Sequence, residues 1–210
     1  MRGYGAAMIE VTDAVIAEWQ VSKRIALHSN FQRIALEVII RVVFGVAAGP
    51  QVARMRSIIE RMLNAGVAGI LVPALRINLG RFSPWGKFLR LKREMDAMLF
   101  ALIAECRADE NRADRADILS MLVSSVDEKG QGLSDVELRD ELVTLLFAGH
   151  ETTATLLAWA FHHALRAPDV LARLQSEVRM VTGGGPLLPE HVEHLKYTAA
   201  TIEEALRLDT

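Results

Sequence analysis

The chain has a single cysteine, Cys106, among 210 residues. An intrachain disulfide is therefore excluded, and a reducing compartment is compatible. Within "LIAECRADEN" this cysteine reads as a small, partly buried core residue on a helix. Neither charge sign dominates: the net charge is −2, with Lys and Arg spread along the chain. That leaves no electrostatic footprint for nucleic acid, and no such partner is expected. The opening "MRGYGAAMIEVTDAVIAEWQ" lacks a cleavable apolar core with a small-residue site, so no signal peptide is expected within it. A cytoplasmic location is expected, with a membrane anchor on a longer N-terminus left open. Runs of alternating apolar and polar residues are missing too, as are internal repeats, so any strands must be few and short.

Helical periodicity fills most of the chain, whose 51% hydrophobic content excludes disorder. "MIEVTDAVIAEWQ" carries a stripe at Ile9, Ala14, Val15 and Trp19. "FQRIALEVIIRVVFGV" follows, with Gly45 near its stop. "PQVARMRSIIERML" opens on Pro50 and is expected to end at Leu63. The Gly- and Pro-rich "NAGVAGILVPALRINLGRFSPWG" then reads as an irregular connection with short helical pieces. A long helix resumes at "KFLRLKREMDAMLFALIAECRADE", and "DILSMLVSSV" forms a short one beyond a charged loop. Ser134 and Glu137 make a capping box ahead of a hydrophobic run. Nothing interrupts that run before Pro168, so the helix should hold about thirty residues and span roughly 45 Å. "APDVLARLQSEVRMV", "LPEHVEHL" and "KYTAATIEEALRL" complete an all-α chain, read as one partial domain over 1–210.

At the middle of the longest helix, "FAGHETTA" breaks the apolar pattern. On a helical wheel Ala148, Gly149, Thr152 and Thr153 fall within an arc of about 140°, with Glu151 at its edge and His150 pointing away. An acid at the centre of Leu142–Phe161 would cost roughly 2.5–3.5 kcal/mol in a bilayer, so this is expected to be a helix buried in protein on every side. Small residues side by side leave a depression, which either a crossing helix or a ligand must fill. Thr152 lies four residues after Ala148 and can bond its carbonyl. Glu151, an acid in apolar surroundings, could join Thr152 in moving protons into a dry cavity. The zinc pattern H-E-x-x-H fails, because Ala154 stands where the second histidine belongs. His162 with His163, and His191 with His194, lack the further ligands of a metal site.

Near the end of the chain, "IEEALRL" sets Glu204 and Arg207 three residues apart on one helix face. "AGHETT" in a long helix, followed by this E-x-x-R and flanked by "DILSMLV" and "APDVLARLQSEV", resembles the cytochrome P450 family over nearly the whole chain. The resemblance implies a haem-thiolate monooxygenase that inserts one oxygen atom from O2 into a hydrophobic organic substrate. Its cofactor would be haem b, and its electron donor a ferredoxin or flavoprotein reductase. Ala148, Gly149 and Thr153 would border the haem's oxygen groove. Glu151 and Thr152 would be the acid–alcohol pair that delivers protons there, and Glu204 and Arg207 a buried ion pair.

The family's ligand loop, F-x-x-G-x-R-x-C-x-G, is not found before Thr210, and Cys106 lacks every element that flanks the ligand cysteine. The resemblance therefore implies a middle slice of such an enzyme, inactive and without haem by itself. The rival reading is a non-catalytic helical remnant or interaction module. By position, the apolar stretch from Val67 to Gly86 would match the family's lid over the access channel, which suggests a hydrophobic substrate.

Overall fold

The computed structural model describes residues 2–21, 23–46, 49–71 and 83–209. Among these are eight α-helices: α1 (Arg2–Ile16), α2 (Leu27–Phe44), α3 (Pro50–Leu71), α4 (Pro84–Ala108), α5 (Ile118–Ser124), α6 (Asp135–Arg166), α7 (Pro168–Thr182) and α8 (Lys196–Asp209). The described residues form no strand, only an isolated antiparallel bridge between Val126 and Gly132. The all-α expectation holds.

The helix ends follow local chemistry. Ser83 caps α4, its side chain accepting the Gly86 N–H, and Asp117 caps α5 through the Ser120 N–H. At the start of α6 the capping box forms in both directions: Glu137 Oε2 accepts from the Ser134 N–H at 2.8 Å, and Ser134 Oγ from the Glu137 N–H at 3.3 Å. The Ser134 hydroxyl, which donates to Oε2 at 2.6 Å, and then the Ser134 N–H hold the Glu137 carboxyl below its usual range. α6 then runs unbroken for 32 residues. Gly183 ends α7 in the left-handed conformation that glycine adopts without strain.

Two elements depart from expectation. α3 continues to Leu71 instead of ending at Leu63, because Gly66 and Gly69 stand alone among good helix formers. One such glycine costs about 1 kcal/mol and does not by itself end a helix. Of the rest of the connection, residues 72–82 lie outside the described residues, and with them most of the stretch expected to act as a lid, while Ser83 caps and Pro84–Gly86 begin α4 ahead of the expected Lys87. In α1 the buried positions are Val11 and Val15, while Ala14 is exposed.

The chain divides into two compact units, residues 1–39 with 147–210 and residues 40–146. In the second unit α3 packs chiefly on α4. Its core includes Met55, Ile59, Leu99 and Ile103, joined by Leu138, Leu142 and Leu146 from the first half of α6, each at most 2% exposed. In the first unit Val11 and Val15 of α1, Phe31 and Ile34 of α2 and Ala154 of α6 form one apolar cluster. Phe31 packs against Phe161 with ring centroids 5.0 Å apart.

α6 is not buried all round. Its covered face is one side of the helix, Leu138, Leu142, Leu146, His150 and Ala154 at four-residue spacing, continued by Ala160 and Ala164, as a 3.6-residue period requires. Ala148, Thr152 and Thr153 are exposed. Apolar residues on every side predict burial on every side only when neighbours are available for each face, and the described elements cover one. No helix among the described residues is long and apolar enough to cross a membrane.

α8 owes its first turn to α7. Glu177 accepts from the Tyr197 N–H at 2.6 Å, and from the Thr198 N–H and hydroxyl at 2.8 and 2.7 Å. A carboxylate from another helix thus does the work of an N-cap, for which Leu195, at that position, has no side-chain acceptor. Desolvation alone would raise the Glu177 carboxyl, but the three donors outweigh it and hold the group below its usual range. Its contribution is therefore complete above the unfolded value of about 4.3 and fades as pH falls through the lower folded value. Glu177→Ala is expected to lower the thermal midpoint at pH 7 by about 3–6 °C, with a smaller difference at pH 3. Equal shifts at both pH values, read by circular dichroism, would rule this out.

Candidate functional site at the middle of α6

The "AGHETT" segment lies in the first unit, where α6 meets α2 and α8. Gly149 marks the approach of α2. A methyl group built there would come within 2.9 Å of Ile39 Cδ1. Of the two possible occupants of the small-residue depression, the helix neighbour is the one found at Gly149. Ala148 has its side chain on the exposed side of α6.

Thr152 makes the expected bond, its hydroxyl donating to the Ala148 carbonyl at 2.5 Å. The helix continues through this back-bond. Together with Glu151 and Thr153, Thr152 lines a cleft of about 430 Å³ whose apolar wall comes from Leu156 and Trp159 of α6 and Ala205 and Leu206 of α8. At one end α6 and α8 are tied by His163 and Asp209, with Nε2 and Oδ2 2.7 Å apart. The cleft thus joins a hydroxyl and a carboxylate to a mainly apolar floor, a combination suited to holding an apolar molecule beside a proton source.

The surroundings expected of Glu151 are corrected. Its side chain is 56% exposed and partnered, not enclosed by apolar groups. Gln32 Nε2–H donates to Oε2 at 2.9 Å. His28 Nε2 stands 3.5 Å from Oε1, and His150 Nδ1 3.9 Å from Oε2. Sequence reasoning missed Gln32 and His28, because no local pattern links them to a residue more than a hundred positions away. His150 does point away from the small-residue arc, into the covered stripe.

Glu204 and Arg207 form a bidentate pair, Arg207 Nε donating to Oε2 at 2.8 Å and Nη2 to Oε1 at 2.6 Å. The guanidinium bonds hold the Glu204 carboxyl below its usual range, and the carboxylate raises Arg207 in turn. The pair is not buried here: its side chains are 55% and 67% exposed. Three-residue spacing brings the groups together, but burial needs covering segments that these elements do not supply.

Cys106 belongs to the other unit. It is 1% exposed, and its Sγ lies 3.5 Å from Ser120 Oγ. The described residues therefore offer no accessible thiolate.

The family model for Cytochrome P450 matches residues 2–210. The "Putative cytochrome P450 137" of Mycobacterium tuberculosis is 42% identical over 199 residues, covering 94% of this chain and 39% of that protein. The "Putative cytochrome P450 135B1" of the same organism is 38% identical over 202 residues, 95% of this chain and 41% of that one. The crystal structure of the cytochrome P450DA heme domain superposes with a TM-score of 0.82 at 25% identity, covering 99% of this chain and 46% of the other. The chain thus spans about two fifths of the length of the curated relatives. With the family model matched along nearly its whole length, and the acid and alcohol of "AGHETT" side by side on α6, the chain belongs to the cytochrome P450 family.

Proposed function

We propose that this chain is the part of a longer haem-thiolate monooxygenase that supplies the oxygen-side helix, and that residues 1–210 form one partial domain of it. The observation that carries the reading is the pairing of Glu151 with Thr152 on the wall of an apolar cleft. Haem, when bound in such an enzyme, activates O2 so that one oxygen atom enters an organic substrate. An electron donor, a ferredoxin or a flavoprotein reductase, would complete the system.

The residues of this chain have their own tasks. Glu151 holds a proton at its carboxyl and gives it up at the cleft. Thr152 turns its hydroxyl between the Ala148 carbonyl and the cleft, and so orders a donor or a water there. Thr153 adds a small polar rim to the cleft, Ala148 holds the Thr152 hydroxyl through its carbonyl, and Gly149 lets α2 come close enough to fix the rotation of α6. Leu156, Trp159 and Leu206 exclude water and favour a hydrophobic substrate. Glu204 and Arg207 hold one face of α8 once further segments cover it.

The chain by itself is not expected to retain haem through a thiolate, since Cys106 is enclosed in α4. Purified chain mixed with haem, reduced and exposed to carbon monoxide should give no thiolate-type Soret band. Such a band, lost again in Cys106→Ser, would overturn this. The functional proposal itself is tested by replacing Glu151 and Thr152 in the longer enzyme and counting product formed per O2 consumed.

A further inference from the structure

α6, α7 and α8 enclose a second hollow, a groove of about 540 Å³. It lies round α6 from the Glu151 cleft, since Phe161 on its wall follows Thr152 by nine residues, half a turn round the helix. Ala160 and Ala164, four apart on one face, are its buried small residues on α6. Phe161, Leu165 and Val178 line it and are exposed. The hydroxyls at its wall are already engaged: Thr198 donates to Glu177 Oε2 at 2.7 Å, and Thr201 to the Tyr197 carbonyl at 2.8 Å. Only Gln175 and Arg179, four apart on α7 and exposed, add polar side chains, at the rim.

We propose that this groove is the seat of one amphipathic helix, supplied by the part of the longer enzyme outside residues 1–210. The chemistry of the groove selects a helix. Its wall offers almost no free hydrogen-bonding group, so the occupant must satisfy its own backbone. A helix does so internally, whereas a loop would bring unpaired N–H and C=O groups into apolar surroundings. An added strand would find no edge to join, because the described residues form no strand. Apolar residues at three- and four-residue spacing would fill the space over Ala160 and Ala164, and a polar flank would meet Gln175 and Arg179. The source follows from length and rests on the reading of the chain as part of a longer enzyme. The chain spans about two fifths of its curated relatives, and a segment of the same polypeptide is present at an effective concentration that a separate molecule does not match.

Maleimide labelling tests the assignment, with the buried Cys106 as a silent background. Leu165→Cys replaces a 55% exposed side chain of the groove, and Met180→Cys a 74% exposed one outside it. In the 210-residue chain both thiols should react at similar rates. In the longer enzyme Leu165→Cys should slow about 100-fold, while Met180→Cys keeps its rate. Equal rates there overturn the proposal. Protection that disappears on dilution overturns it too, because the occupant is then a second copy. A benzophenone side chain placed at position 165 of the longer enzyme should capture, on illumination, a peptide from outside residues 1–210 with apolar residues at helical spacing. Capture within residues 1–210, or of a peptide without that spacing, rules out the helix. Labelling needs no haem, so the two readings fail separately. A protected Leu165→Cys beside a fully productive Glu151→Gln removes only the role of Glu151, and a reactive Leu165→Cys beside an unproductive Glu151→Gln removes only the groove assignment.

Discussion

Asp117→Ala should destabilise the unit formed by residues 40–146 by about 3 kcal/mol, the largest effect expected of any single polar residue here. Asp117 is 6% exposed and satisfies several donors at once. It accepts from Arg115 Nε at 2.8 Å, from the Ser120 N–H at 2.9 Å, and from the Ser120 hydroxyl at 2.9 and 3.0 Å. Alanine removes the cap of α5, worth about 1 kcal/mol, and strips the half-buried Arg115 guanidinium of its strongest partner. Arg115 also reaches the Phe44 carbonyl at 3.4 Å, so the damage extends to the end of α2. There Gly45 has a φ of 65°, and a methyl group would lie 2.5 Å from Asp117 Oδ2.

The acid dependence has a definite sign. Burial pushes the Asp117 carboxyl up, but Arg115 and the Ser120 donors more than reverse this, leaving it below the ordinary range. Its stabilisation is therefore complete above the unfolded value of about 3.9 and is lost as pH falls through the lower folded value. Urea titrations should show the wild type and Asp117→Ala converging on acidification, with Asp117→Asn between them at pH 7. A difference below about 1 kcal/mol at pH 7 would show that Arg115 finds other partners at no cost.

Glu151→Gln in the longer haem-containing enzyme should cut product formation about 100-fold while O2 consumption continues. The amide keeps the shape and the contact with Gln32 but has no acidic proton to give. Thr152→Ala should cost about tenfold, and Thr152→Ser most of that less, because serine restores the hydroxyl. Folding should not account for these losses. Thr152 is exposed on α6, and alanine is the better helix former by about 0.5 kcal/mol, so Thr152→Ala should raise the thermal midpoint of the chain slightly. A variant with both full product yield and unchanged O2 use would remove Glu151 and Thr152 from the reaction.

The legible parts of the sequence were those whose cause is local. Ser134 with Glu137 announced the start of α6, Pro168 its end, and Gly183 the end of α7, since each acts within one helical turn. The Thr152–Ala148 bond and the Glu204–Arg207 pair followed from spacing alone. What failed was burial. The apolar pattern of Leu142–Phe161 says that the helix tolerates cover, not which segments provide it. Glu151, Glu204 and Arg207 consequently stand more open than their motifs imply. Partners across long separations left no trace: neither Gln32 beside Glu151 nor Glu177 beneath α8 has a neighbour in sequence that would reveal it. α3 runs on past Leu63 because isolated glycines weaken a helix without ending it, and the prolines of that stretch come later.

The carboxylate of Glu177 has a temporal consequence. During synthesis α7 is joined to the chain, and emerges from the ribosome, before Tyr197 and Thr198 do. The acceptor that α8 needs is therefore waiting when its first amides emerge. Starting a helix is its least favourable moment, and here that moment is eased by an anchor already in place. The order in which these two helices mature is thus written into the direction of translation.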